Sequence, residues 1–452
     1  MIDEYIKHTQ AFRFRRILNW FPMGITYALL YMGRYNLTVA KNALGNLMTK
    51  EDFGLIFGVG AVVYALSFLI NGPLVDRIGG KKGILIAAFG AGAMNLCMAL
   101  YLQYALSLSN PANAPLSLVF TLLYAANMYF QSYGAVSIVK VNAHWFHVRE
   151  RGVFSGIFGI MIASGIFLAF DVTGRILASP LVKGKGFDGG DALWWAFLSP
   201  AVLLFVFFLV EIFLLKDTPT KAGHADFDTG DESSGENLEE KVPALQLFKR
   251  ILTHPVILTV ALIEFCTGVL RNGVMHWFPI YAKEQLSSGL SVGAGWKYTL
   301  DNWGLLLWIA GIIGGMAAGI ISDKLFQSRR GPSAGLFYGL LTFCIVGMFF
   351  SLTNGWVLAA LIFVMSICVI GTHGMLSGTA TMDFGGRKGA GTAVGVIDGF
   401  VYLGTGVQSF ALGILTTKNW DYWPMFLLPF SIIGFLLLLR IWHAMPGKKG
   451  AH

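Results

Sequence analysis

Charge is what this sequence most lacks. Of 452 residues, 13% are Asp, Glu, Lys or Arg, while 55% are hydrophobic. A soluble domain carries about 25% charge, so a water-soluble globule is excluded, and long apolar runs with short polar breaks indicate a polytopic helical membrane protein. Cysteine is scarce too. Cys97, Cys266, Cys344 and Cys368 fall in apolar runs without metal-ligand spacing and read as small core hydrophobes. GxxxxGK[ST] does not occur, which argues against ATP-driven pumping. No Ser/His/Asp or metal-ligand grouping has a suggestive spacing, so neither an enzyme nor a cofactor is expected. The polar MIDEYIKHTQAFRFRR leads straight into a full-length apolar run, so no cleavable signal peptide is expected.

Phe (36) and Gly (55) are abundant, as suits helices packed in lipid through small residues. Twelve spans are predicted, at 17–44, 54–72, 83–104, 116–140, 153–176, 193–216, 255–282, 302–321, 334–353, 356–380, 389–416 and 423–444. Numbering the breaks alternately sorts the positive charge. One side takes Arg13, Arg15, Arg16, Arg77, Lys81, Lys82 and further bases through Lys449; the other takes mainly Lys50, Lys183, Lys185, Lys283, Lys297 and Lys418. By the positive-inside rule the first side, with both termini, is cytoplasmic. The net charge of +8 is therefore topological, and no nucleic-acid partner is expected.

DTPTKAGHADFDTGDESSGENLEEKVPAL (Asp217 to Leu245) is the single long polar break, acidic and rich in Gly and Ser. It reads as a flexible linker, giving a division into 1–216, a linker at 217–248, and 249–452. Each half carries one copy of a motif. GPLVDRIGGKK follows span 2 and GIISDKLFQSRR follows span 8. Both have a glycine (Gly72, Gly319), three residues, an aspartate (Asp76, Asp323), a base (Arg77, Lys324), then a basic pair. Glycine permits close helix approach, and the aspartate can sit at a neighbouring helix N-terminus. This pattern resembles the loop signature of the major facilitator superfamily. The resemblance implies two six-helix bundles rocking around a central site.

Arg34 stands well inside span 1, in YALLYMGRYN, 42 positions before Asp76. Arg271 stands in span 7, 52 positions before Asp323, the difference matching a longer loop after span 7. A charge at bilayer depth costs about 2.5–3.5 kcal/mol or more. Two symmetric arginines suggest a shared anion; the other reading pairs each with an internal acid such as Glu264, Asp171 or Asp398. Tyr27, Tyr31 and Arg34 share a helix face at i, i+4, i+7, and a guanidinium offers paired donors suited to phosphate or carboxylate. Tyr64 of span 2 is a further candidate. His373, between glycines in IGTHGML, is a candidate for substrate binding or titration near neutral pH. Asp398 shares a face with Tyr402 and Thr405 and is the first choice for a coupling proton or a salt bridge, with Glu264 beside it. His276 reads as a hydrogen-bonded structural residue, Lys41 as an interface cation, and Asp171 with Arg175 as a local ion pair.

YMGRYNLTVAKNAL, FQSYGAVSIVKVNAHWFHVRERG, LRNGVMHWFPIYAKE and GTAVGVIDGFVYLG together resemble the organophosphate:phosphate antiporters, including the bacterial glycerol-3-phosphate transporter, over nearly the whole chain. The resemblance implies a bacterial inner-membrane monomer exchanging a small anionic organophosphate for inorganic phosphate. It carries phosphate binding to Arg34 and Arg271, with Tyr27, Tyr31 and Tyr64 as aromatic partners. The chain departs from that pattern at Tyr35, in place of a lysine after the span 1 arginine, and at Ala135 to Ser137, in place of a double proline; Phe68 and Ile162 stand where the glycerol-3-phosphate transporter has a span 2 lysine and a span 5 histidine. Three classes stay open: an organophosphate antiporter, a proton-coupled organic-anion symporter, and a transporter-like sensor of a phosphorylated ligand.

Overall fold

The computed structural model describes residues 8–146, 159–225, 249, 253, 255–288, 293–327 and 329–443. Its long helices are α1 (Gln10–Leu44), α2 (Lys50–Ile78), α3 (Gly80–Leu106), α4 (Leu116–Trp145), α5 (Gly159–Ala178) and α6 (Trp195–Leu214). The second six are α7 (Pro255–Ser287), α8 (Trp303–Ile320), α9 (Arg330–Met348), α10 (Gly355–His373), α11 (Thr381–Lys418) and α12 (Tyr422–Arg440). Ten of them are long and apolar enough to cross a bilayer; α1 and α4, of 35 and 30 residues, complete the twelve. At about 1.5 Å per residue, α1 outruns a hydrocarbon core of about 30 Å, which leaves its basic first turns outside. The outer surface is apolar where lipid would lie: Phe213, Phe343 and Phe350 are 76%, 72% and 84% exposed.

Local chemistry sets the helix ends. The Thr9 hydroxyl accepts from the Phe12 amide to start α1. Thr49 and Asp52 form a capping box at the start of α2. Between α2 and α3 the chain reverses at Gly79 alone, with φ 90°, a conformation only glycine holds at little cost. Asp217 then accepts from the Lys81 amide at 2.7 Å, placing a carboxylate on the positive end of α3. Thus the linker's first residue is docked on the first half; from residue 226 to 248 the linker lies outside the described residues. The loop after α7 contains a further short helix, Gly293–Asp301, anchored by buried Trp296.

The first and second six helices meet along α2–α11, α1–α7 and α5–α8, at the end of the bundle far from the termini. There Thr38 meets His276 at 2.7 Å, Asn42 donates to the Pro279 carbonyl at 3.1 Å, and Asp171 accepts from the Leu305 amide at 3.2 Å. Lys50 pairs with Glu284 at 3.0 Å, donates to the Thr416 carbonyl at 2.7 Å and lies 4.6 Å from the Trp420 ring. Gly54 lets α2 touch α11 backbone to backbone. A Cβ at that position would stand 2.5 Å from the Ser409 carbonyl oxygen and 3.0 Å from Gly413 Cα, so any larger residue there would push the halves apart.

The motif loops lie at the opposite end, and there the expectation of close approach fails. A methyl group at Gly72 or Gly319 would meet no atom within 4 Å. The reason is geometric, since the halves are drawn together at the other end. Arg77 and Lys324 are exposed, and the side chains of Asp76 and Asp323 lie outside the described residues.

Candidate functional site

Arg34 is fully buried, and each of its three guanidinium nitrogens makes a hydrogen bond. Its Nε donates to Gln131 Oε1 at 2.9 Å, Nη1 to the Tyr402 hydroxyl at 2.6 Å and Nη2 to the Tyr64 hydroxyl at 2.9 Å. The guanidinium carbon lies 4.4 Å from the Tyr64 ring and 4.7 Å from that of Tyr31, within cation–π range. Tyr27 packs edge-on to Tyr31 with ring centroids 5.3 Å apart. Every partner is neutral, so the positive charge is solvated by dipoles and ring faces without being cancelled.

A chain of amides fixes Gln131. Its amide donates to Asn127 Oδ1 at 3.1 Å, Asn95 donates to the same oxygen, and Asn36 donates to Asn95. Sequence reasoning missed Gln131, Asn127 and Asn95. Their signal was there: three amides inside apolar spans, two of them at i and i+4, where an unsatisfied amide in lipid is costly. Tyr402 was noticed only as a neighbour of Asp398. Glu211, buried in α6 beside Thr26, was missed altogether.

Arg271 is the contrast. It is 6% exposed, and its Nε and Nη2 are buried with no hydrogen-bond partner. Tyr31, Tyr35 and Tyr402 lie within electrostatic reach of both arginines, which therefore sit in one aromatic region of the bundle. Neither guanidinium is in an ion pair with an acid among the described residues. Glu264, on the same helix as Arg271, turns instead to His373, with Oε2 and Nδ1 2.7 Å apart. Asp398 accepts from the Ser377 hydroxyl. Asp171 caps α8 at Leu305 and makes no hydrogen bond to Arg175, because the amide end of that helix is nearer. Lys41 reaches the Gly45 carbonyl at the end of α1. An apolar cleft of about 200 Å³ between α2 and α11, lined by Ala65, Leu69, Val396 and Leu403, holds no charged group and is unsuited to an anion.

The model of the Major Facilitator Superfamily matches residues 23–409. The chain belongs to that superfamily. It is thus a multi-pass membrane protein of a transporter family, not an enzyme. It is 25% identical to the glycerol-3-phosphate transporter of Bacillus subtilis, across 99% of this chain and 96% of that one. It is 26% identical to the "Probable hexose phosphate transport protein" of Chlamydia pneumoniae, across 96% and 93%. The membrane sensor protein UhpC of Escherichia coli is equally similar, 25% across 99% and 97%. Among solved structures, a bacterial homologue of the human lysosomal transporter Spinster, inward-facing and occupied, superposes with a TM-score of 0.72 over 98% of this chain at 13% identity, which speaks to the fold alone.

Proposed function

We propose that this protein is a secondary transporter of a small phosphorylated organic anion, of the glycerol phosphate or sugar phosphate class, working by alternating access. The observation that carries the reading is the Arg271 guanidinium, buried with two of its nitrogens unpartnered, in the same aromatic region as an Arg34 whose partners are all neutral. A buried cation without acceptors is costly, and a phosphate group supplies oxygens in the geometry the planar fork prefers. Relatives named for glycerol-3-phosphate and hexose phosphate transport support the phosphorylated class.

Exchange for inorganic phosphate follows from the same energetics. An empty carrier would reorient with Arg271 bare, whereas either phosphate species covers it, so exchange runs faster than empty return. On this reading residues 1–216 and 249–452 rock as two bodies joined by the linker, and both termini face the cytoplasm by the positive-inside rule. The test is uptake of labelled glycerol 3-phosphate or glucose 6-phosphate into proteoliposomes loaded with phosphate or left empty. Acceleration by internal phosphate is expected. Binding without any uptake would overturn transport in favour of the sensor reading that the similarity with UhpC suggests.

A further inference from the structure

The second half holds an acid–base pair that the anion site leaves unused. Glu264 Oε2 and His373 Nδ1 are 2.7 Å apart, Glu264 is wholly enclosed, and His373 keeps 22% of its side-chain exposure. The other Glu264 oxygen, Oε1, is buried and unpartnered. An ionised carboxylate so placed is costly unless a proton neutralises it or its partner. The charged and titratable groups facing the pair are Arg271 and Cys266 from α7, Tyr338 from α9 and Asp398 from α11. The spanning part of α8, Trp303–Ile320, contributes no ionisable side chain.

Charge counting then decides what the pair must do. In the microstate with Glu264 and Asp398 both ionised and His373 neutral, the two acids equal Arg34 and Arg271 in charge. A phosphate-ester dianion entering that balanced region would bring two uncompensated negative charges into a low-dielectric space. Resting on the anion-site reading above, we propose that the Glu264–His373 pair is a proton-binding site that loads together with the phosphorylated anion. A proton there, as imidazolium or carboxylic acid, returns one positive charge to that region. His373 is the exposed member and gives the proton its route to water. Glu264 fixes the ring through Nδ1 and leaves Nε2 as the free nitrogen.

The experiment is titration calorimetry of the full-length protein with inorganic phosphate, glycerol 3-phosphate and glucose 6-phosphate. It is run in buffers of different ionisation enthalpy, well above pH 6, near which the second phosphate ionisation lies. Wild type is expected to take up about one proton per bound ligand, and Glu264→Gln and His373→Gln to bind with uptake falling towards zero. Variants that bind with the wild-type proton count overturn the inference and leave the anion site standing. Absence of binding by wild type to all three ligands overturns both. If the two variants no longer bind, infrared difference spectra of wild type carrying isotope-labelled glutamate decide. A ligand-induced protonated-carboxyl or imidazolium signal that disappears at high pH supports the pair, and neither signal appearing overturns it.

Discussion

The two arginines should respond oppositely to the same substitution. In Arg34→Lys, a single ammonium on a shorter stem replaces three donors aimed at Gln131, Tyr402 and Tyr64, which sit on three different helices. Losing two hydrogen bonds to a charged group, at about 1.5–3 kcal/mol each, sets an upper bound of about 3–6 kcal/mol of lost stability. Arg271→Lys removes no hydrogen bond from Nε or Nη2, since these have none, so the empty protein should unfold at nearly the wild-type temperature. Binding reverses the order. Lysine at 271 loses the paired donors, and one lost charge-assisted bond of about 1.5–3 kcal/mol weakens phosphate binding roughly 10- to 150-fold. The assays are thermal unfolding without ligand and calorimetric binding of glycerol 3-phosphate. If Arg271→Lys destabilises the empty protein as much as Arg34→Lys, the asymmetry is absent and the reasoning fails.

Tyr402→Phe removes a bond between the halves and should shift the balance towards separated halves roughly tenfold or more, at about 1.5–3 kcal/mol; unchanged distances between spin labels on α1 and α11 would contradict this. Lys50→Ala deletes a half-exposed ion pair worth about 1 kcal/mol or less and a ring contact of about 0.5–1 kcal/mol, so a cysteine placed at Asn42 should label faster, and an unchanged rate counts against the contact acting as a latch. Gln131→Leu should weaken substrate binding and lower stability together, since it orphans Arg34 Nε and removes one of the two donors to Asn127 Oδ1; loss of neither would separate the amide chain from the site. Deleting Asp226 to Glu240 should leave transport near wild type, because the segment is too polar to dock firmly; lost transport with normal insertion would make the linker a gate.

Much of this was legible in the residues. Apolar runs gave the twelve helices, and helical spacing put Tyr27 and Tyr31 on the face of Arg34. Pairing between helices was not legible. Glu264 lies seven residues from Arg271 and looked like its partner, yet the observed partner is His373 on α10, reached only through the packing of α7 against that helix. Gln131 and Tyr402 meet Arg34 from 97 and 368 positions away, separations at which periodicity carries no information. The motif glycines failed for a related reason. Their packing depends on which end of the bundle is closed, and a sequence compatible with two arrangements does not state which one is held.

The bond between Arg34 and Tyr402 joins those two observations. It crosses from α1 to α11, so the first arginine already ties the halves through a neutral acceptor, while Arg271 ties nothing. On the proposed reading an incoming phosphate meets no competition at Arg271 and must displace a phenol at Arg34. Charge-assisted bonds are roughly twice as strong as neutral ones, so that displacement is favourable. A phosphate held by both guanidinium groups would replace the α1–α11 tie with a stronger one from α1 to α7, near the middle of the bundle. The contacts at the far end, Lys50 with Glu284 and Thr38 with His276, would then share the work with a stronger central tie than Tyr402 supplies. On that proposal, opening at that end would be favoured while the centre is bridged, and this would couple movement to occupancy.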